Sequence, residues 1–536
     1  MTKNVYLLDC KLRDGGYIND WDFGHSVITG TYKKLDAAGV DFIEVGFLDD
    51  RREFDINRSI VPSTEGYNVI FKNVSKNHAI PVAMIDFGTC SLDNIGPCDA
   101  TFLDGIRVIF KKEKINQALP FCKAIKEKGY KLFIQAISIT AYSDTDMLEY
   151  IQKINEVKPY AFSIVDTYGL MDKKRMAHYF ELIDDNLDPD IIIGYHSHNN
   201  FQLAFSNTME FLSMDSPRES IADSTIYGMG KSAGNCPSEL LSLHLNQYYK
   251  KNYDINQFLE AFDADLMPIY QKHYWGYKYN FYISAMQNCH PNYVQWLLDK
   301  KTLTVSAVNE ILSTIPEDKK LHYDKQLVED LYFKYQSVTI DDSSDIETLK
   351  ELLNTSSVLL LGPGETITKE SHSIDSFINS NHPTIIAVNF IPEHYPHDLV
   401  FVSNSKRYGM MVDKSGQDIA GTKIIITSNI NPFDKPAFLT INYQTLIQNG
   451  KLESDNALLL LLSTLIRAGV QQVHLAGFDG FSNNSSNYYD DSFSFAGNES
   501  YKLSSNQTTA ESLRLLMSSI NIHFITPSLY ESFLHK

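Results

Sequence analysis

Two histidines one residue apart, His196 and His198, follow directly on the apolar run Ile191-Ile192-Ile193-Gly194-Tyr195. Side chains alternate along a strand, so both imidazoles project to the same side at its end. Two imidazoles so placed are natural ligands for a divalent ion. An isolated His-x-His is more often an ordinary polar loop, so a second feature has to join it. Near the N-terminus, Val5–Asp9 runs into Cys10-Lys11-Leu12-Arg13-Asp14-Gly15-Gly16. Asp14 offers a hard oxygen ligand just past a strand tip. With two histidines it leaves about three positions of an octahedron for substrate oxygens and water. Arg13 brings a fixed charge to a developing oxyanion, and the glycines let backbone approach a ligand closely. Taken alone, Arg-Asp-Gly-Gly is equally a turn.

The elements that must position these residues follow from the hydrophobic pattern. Val5–Asp9, Asp41–Gly46, Ile80–Ile85, Gly105–Phe110, Lys131–Ala136, Ala161–Val165, Ile191–Tyr195 and Ser220–Ile226 read as strands. Helical patterns such as Ser26–Ala38, Lys114–Lys128 and Thr145–Lys158 separate most of them. That is the arithmetic of a (β/α)₈ TIM barrel, assigned to residues 1–248. In a barrel the C-terminal strand ends form one mouth, which places Asp14 on the rim that carries the histidines.

Beyond residue 250 strand patterns nearly vanish. Aromatic-rich helical stretches (Asn256–Tyr270, Tyr293–Lys300, Val305–Ser313, Asp324–Tyr335) and an acidic, serine-bearing linker at Ser337–Ile346 make 249–345 a helical extension. Strand and helix patterns return from Leu349, with strands at Ser357–Leu361, Thr384–Asn389, Leu399–Val402, Lys423–Thr427 and Gln472–Ala476. Residues 346–536 are therefore expected to form a Rossmann-like open α/β domain, so the whole chain is of the α/β class. Ser482–Tyr489 reads as a surface loop.

Of the 536 residues, 43% are hydrophobic and 21% charged, which fits globular domains. A net charge of −19 argues against a nucleic-acid partner. The six cysteines lack zinc-knuckle spacing or disulfide density, and no export signal precedes Val5, so a cytoplasmic location is expected. The most apolar run, Ala457 to Ile466, is about half a membrane span and reads as a buried helix.

The segments LLDCKLRDGGYIND, LDAAGVDFIEVGF, VDTYGLM, GYHSHNN and YGMGKSAGNCPSELL resemble, in order and strand position, the DRE-TIM metallolyases. That superfamily includes 4-hydroxy-2-oxovalerate aldolase, hydroxymethylglutaryl-CoA lyase and the isopropylmalate and homocitrate synthases. The similarity covers about residues 5–245, and 250–335 more weakly resembles the aldolases' helical extension. It implies a divalent metal (Mn or Mg ahead of Co or Zn) held by Asp14, His196 and His198, with Asn235 as a further ligand or outer-shell group. It also implies that Arg13 stabilises a pyruvate-type enolate. Glu44 would hold Arg13, or serve only as a paired interior carboxylate, and Asp166 would line the mouth. The aldolases' histidine three residues after the metal-binding Asp is Tyr17 here, and the lyases' loop cysteine is absent. Tyr17 or Tyr282, near a tyrosine of the aldolase extension, is the acid/base candidate.

In the last domain a strand ends in Gly362-Pro363-Gly364-Glu365-Thr366, which has the look of a phosphate cradle or simply a turn. Together with Asn389, Gly477 and Asp479 it resembles the nucleotide-binding half of bacterial CMP-sialic-acid-dependent sialyltransferases. The expected activity is an aldolase, cleaving or joining a keto acid and an aldehyde or sugar through an enolate. Its expected setting is unusual-sugar or surface-polysaccharide biosynthesis, with a nucleotide-sugar partner and a homo-oligomeric, non-membrane protein. The alternative is an acyl-CoA-dependent Claisen synthase whose last domain is a non-catalytic nucleotide sensor.

Overall fold

The computed structural model describes residues 4–353, 357–414, 421–431, 437–447, 456–482, 487–489 and 499–534; within the expected 482–489 loop, residues 483–486 lie outside them. The chain forms two compact units, Met1–Val294 with Pro316–Tyr323, and Gln295–Ile315 with Asp324–Lys536. The helical stretch 249–345 is thus divided between them.

The first unit is a closed barrel. Its eight parallel strands are β1 (Val5–Asp9), β2 (Phe42–Leu48), β4 (Ile80–Asp86), β5 (Gly105–Phe110), β6 (Lys131–Ala136), β7 (Ala161–Asp166), β8 (Ile192–Ser197) and β9 (Ser220–Ser224). Closure is explicit, because β1 pairs in parallel with both β9 and β2. A two-residue strand, β3 (Ile60–Val61), adds to the far end of β2. Every strand expected from the sequence is present. The intervening helices bury one stripe each; in Ile115–Glu127 the buried positions are Ile115, Ala118, Leu119, Cys122 and Ile125, the spacing of a helix face.

Period two along the strands sorts the barrel interior into layers. Leu8, Phe42, Val82, Phe133, Ala161, Ile192 and Ile221 fill one apolar level. Two residues further along their strands come Cys10, Glu44, Met84, Gln135, Ser163, Gly194 and Asp223, with Arg107 two residues beyond Gly105. The interior therefore changes from hydrocarbon to charge one level below the mouth. Strand β2 breaks register between Glu44 and Phe47, a bulge at Gly46. No other residue fits there: φ is +150°, and an added Cβ would lie 1.7 Å from the Ser59 carbonyl oxygen.

The second unit is built on a parallel sheet. Its strands are β10 (Val358–Leu361), β11 (Thr384–Val388), β12 (Leu399–Val402), β13 (Lys423–Thr427), β14 (Leu439–Ile441), β15 (Gln472–Ala476) and β16 (Asn521–Phe524). Their order is β14-β13-β12-β11-β10-β15-β16, so strand order reverses beside β10. The helix Ala457–Arg467 buries Leu458 through Leu462, as its composition requires, and the Asn456 side chain caps it.

The expected linker is not free chain. Asp342 pairs with Arg467 at 2.7 Å and accepts from the Asn442 backbone N–H, while Asp345 accepts from Thr440 and the helix Ser343–Leu353 follows. Its acids serve as acceptors for backbone around β14, a use that composition does not reveal. Among the described residues no helix is long and apolar enough to cross a membrane.

Candidate metal centre and active site

Strand β1 ends in a single helical turn, Lys11–Asp14, which points Asp14 inward from the rim. Strand β8 ends at Ser197, with His196 and His198 on its inward side and their rings 5.1 Å apart. One ligand atom from each of Asp14, His196 and His198 can be chosen so that all lie within 4.8 Å of one another. The sequence separates these residues by more than 180 positions, and barrel closure between β1 and β9 brings them together.

The imidazoles are oriented by the hydrogen bonds of their other nitrogens. His196 Nδ1 lies 2.9 Å from Asp223 Oδ2, and His198 Nδ1 lies 3.1 Å from the Lys231 carbonyl oxygen. Both partners can only accept, so Nδ1 carries the proton in each ring and Nε2 keeps its lone pair. Asp14 is buried, which opposes its charge. Arg13, His198, His196 and the Asn235 amide outweigh burial and hold its carboxyl well below the usual range. Asn235 Nδ2 donates to Asp14 Oδ2 at 2.5 Å, and Asn235 Oδ1 is buried without a partner. Gly230 makes room for this contact, since an added Cβ would meet Asn235 Nδ2 at 2.0 Å and Asp14 Oδ2 at 2.5 Å.

Behind these groups runs a buried chain of charge. Arg13 Nη1 donates to Asp14 at 2.6 Å, and Arg13 Nε donates to Glu44 Oε2 at 2.7 Å. Arg107 Nη1 lies 3.2 Å from the same Glu44 oxygen, and its Nη2 pairs closely with Asp223, the partner of His196. Two guanidinium groups thus face three carboxylates, leaving one negative charge in excess. A net negative, enclosed array with three converging lone-pair donors and an orphaned amide oxygen fits a bound divalent cation. Cys10 also lies near His196, at 3.9 Å, but burial pushes its thiol well up and keeps it protonated.

The mouth above the cluster is a cavity of about 380 Å³. Arg13, Asp14, His196 and His198 form its floor, and Tyr17, Asp86, Lys111 and Lys231 stand on its walls. His290, His322 and Tyr323 from the helical extension roof it. Tyr17 is where the sequence placed it. Burial, aided by Asp14, Asp86 and Glu44 against the pull of Arg13, raises its hydroxyl to about 12, so it is a donor at neutral pH. Tyr282 is elsewhere: it is 42% exposed, packs near Phe201 and does not line the cavity. Glu44 is fully buried beneath Arg13 and positions it without reaching the cavity. Asp166 turns aside to accept from the backbone N–H groups of Leu170 and Met171, and Val165 and Thr167 line the mouth instead.

Sequence reasoning missed Arg107, Asp223, Lys231 and His290. The first two carried a signal. Each is a charged residue at an inward-facing position of a strand, and such a residue must find a partner across the barrel.

In the second unit a cavity of about 240 Å³ opens at the C-terminal ends of β10, β11 and β15. Gly364, Asn389, Gly477 and Asp479 line it, with Arg407, Asn404 and Tyr488. Gly362 and Thr366 do not. The Gly362 N–H is taken by the Ala476 carbonyl, and both the backbone N–H and the hydroxyl of Thr366 are taken by Asp479. A carboxylate of the chain itself therefore stands where the glycine loop was expected to hold a phosphate.

Residues 4–264 match the model of the HMGL-like family. The similarity to that family lies in the residues that form the barrel. Oxaloacetate decarboxylase of Mycobacterium tuberculosis is 24% identical over 264 residues, which is 49% of this chain and 76% of that one. Homocitrate synthase AksA of Methanocaldococcus jannaschii is 26% identical, covering 47% of this chain and 62% of its own. 4-Hydroxy-2-oxovalerate aldolase of Carboxydothermus hydrogenoformans is 23% identical, covering 50% of this chain and 79% of its own. The HMGL-like barrel thus resembles lyases, aldolases and synthases alike, and each match spans only about half of the present chain.

Replacing Arg107 by Met leaves Glu44 and Asp223 buried without their shared cation, and breaking such a pair costs about 3–5 kcal/mol. Urea unfolding of the metal-free protein is expected to show a loss of that size. A loss below 1 kcal/mol is the result that counts against the charge chain.

Burial holds His198 neutral down to about pH 3 and His290 down to about 4, with the charges of Lys231 and Lys111 adding to the effect at His290. An unfolded chain protonates its histidines near 6.5, so below that pH the unfolded state binds more protons. Stability contributed by these groups is complete above pH 6.5 and is lost progressively as the pH falls toward 4. Unfolding midpoints of the metal-free protein should therefore drop between pH 7 and 4.5, and His290→Gln should make the drop shallower.

Proposed function

We propose that the HMGL-like barrel is a divalent-metal-dependent carbon–carbon lyase or aldolase that acts on an α-keto acid through its enolate. The convergence of Asp14, His196 and His198 beside Arg13 carries this reading. A divalent ion held by those three residues, with Asn235 behind them, supplies a Lewis acid for the keto acid's carboxylate and carbonyl. The resemblance to the family favours Mn or Mg, while the mixed oxygen and imidazole donor set would also accept Co or Zn.

The chain's own groups do the rest. Glu44 and Asp14 hold Arg13 through Nε and Nη1, which leaves Nη2 for a substrate oxygen where enolate charge develops. Tyr17, protonated at neutral pH, gives its proton to an aldehyde oxygen in the joining direction. A second reading is favoured by the same hydroxyl. Decarboxylation of a β-keto acid breaks the bond to a carboxylate that departs as CO₂, leaves the electron pair in the enolate, and needs no base to take a hydroxyl proton. That reaction fits a mouth whose tyrosine is a poor resting base, and one relative is an oxaloacetate decarboxylase. Similarity to a homocitrate synthase keeps an acyl-CoA condensation as the alternative, marked by release of a thiol.

For the second unit we propose nucleotide or nucleotide-sugar binding in the cavity beside β10, which would link the barrel to sugar or polysaccharide chemistry. A cavity at the reversal of strand order, lined by amides, aromatic rings and Arg407, supports it.

Pyruvate C3 proton exchange in D₂O, followed by NMR, tests the barrel. Exchange should require Mn or Mg, disappear in Asp14→Ala and fall about 10²–10³-fold in Arg13→Met. Exchange that persists without metal, or in Asp14→Ala, would exclude the assigned site. For the second unit, a thermal-shift screen of CMP, CDP, UDP and GDP sugars should find a stabilising ligand whose effect is lost in Arg407→Ala. No shift with any of them counts against nucleotide binding.

A further inference from the structure

We propose that Lys231 is the receptor for a second oxyanion on the substrate, so that the HMGL-like barrel selects keto acids bearing a carboxylate or phosphoryl group at the end away from the keto acid. This rests on the barrel reading above and names its substrate class. The backbone of Lys231 is tied to the metal cluster at two points. Its N–H donates to Asp14 Oδ2 at 3.2 Å, and its carbonyl accepts from His198. The side chain then rises along the cavity wall until its amine lies 5.2 Å from the centre of the Tyr17 ring. The charge is therefore within one side-chain length of the site that takes the keto-acid head, and it lines the same cavity.

Among the described residues the Lys231 amine has no ion pair, and its one close partner is the face of the Tyr17 ring. An ammonium group in such an enclosure gains from an anion. The surroundings add to the same field. Lys111 lines the cavity and donates to His322 Nδ1 at 3.1 Å, so it too presents a cation toward the mouth. Burial raises the carboxyl of Asp86, the other acid on the wall, against the pull of Lys114, Arg51 and Lys111, just as burial works against the charge of Lys231. The floor is already matched to one oxyanion by Arg13 and the metal-ligating cluster. Lys231 supplies the complement to another, at a distance of a few bonds.

The test is equilibrium binding to the full-length, Mn-loaded protein by calorimetry. Two keto acids of equal chain length differ only at the far end: 2-oxoglutarate ends in a carboxylate and 2-oxopentanoate in a methyl group. 2-Oxoglutarate should bind at least 10-fold more tightly. That ratio should collapse toward one in Lys231→Met and be largely kept in Lys231→Arg. Phosphonopyruvate against 2-oxobutanoate forms the second arm, and the larger preference identifies the oxyanion as phosphoryl or carboxylate. If Lys231→Met does not fold, as judged by its circular dichroism, Lys231→Gln takes its place in the same comparison. Equal binding of charged and neutral ligands, or a preference that survives loss of the amine, overturns the proposal. In that case, binding that still depends on Asp14 leaves the barrel reading intact. Failure of every keto acid to bind the Mn-loaded protein overturns both.

Discussion

The interaction on which the site depends is the buried bridge from Glu44 through Arg107 to Asp223. Each end of it holds a group at the mouth: Glu44 holds Arg13, and Asp223 holds His196. Glu44, Arg107 and Asp223 are buried at this level, so none of these charges meets bulk water. Each is tolerable only because the next is in place. The price is a layer that would be more stable as hydrocarbon, and the return is orientation. Asp223 fixes the His196 tautomer, and Glu44 fixes which edge of Arg13 faces the substrate. The bulge at Gly46 belongs to the same construction, because β2 changes register between Glu44 and Phe47.

That dependence explains which parts of the site could be read from the chain. The convergence of Asp14, His196 and His198 was legible because they sit in short motifs at strand ends, where alternation alone says which way they point. Val5–Asp9 into Arg13-Asp14 and Ile191–Tyr195 into His196-Ser197-His198 required only a strand and a barrel. The barrel itself was legible because fully buried parallel strands are short and apolar and helices of regular period lie between them. Arg107 and Asp223 were harder. Each looks like a stray charge in an apolar strand until closure brings β5 and β9 to face the same interior. Tyr282 failed for a related reason. A helical extension has no alternation to aim its side chains, and the structure puts His290, His322 and Tyr323 over the mouth instead.

The second unit shows how a local pattern can be legible and still carry the wrong chemistry. Glycines after Val358–Leu361 do allow close backbone approach, but what approaches is the 476–479 segment. Added Cβ atoms at Gly362 and Gly364 would each lie 2.5 Å from the Gly477 carbonyl oxygen. The loop is a packing device between β10 and β15, sealed by Asp479 on Thr366. A bound anion there would meet a carboxylate, so any anionic part of a ligand belongs toward Arg407. The cavity lies at the reversal of strand order, where open parallel sheets leave a crevice.

The loop from Gly228 to Asn235 joins these threads. Its backbone and its last residue hold Asp14 and His198: Lys231 contributes N–H and carbonyl, Gly230 the clearance, and Asn235 the amide. These contacts are made by main chain or by residues whose size is dictated, so they constrain the loop's path without constraining the side chain at position 231. A single position therefore projects into the cavity from a rigid frame anchored on the ligands themselves. A change at that one position therefore leaves in place the backbone contacts that hold Asp14 and His198 from behind.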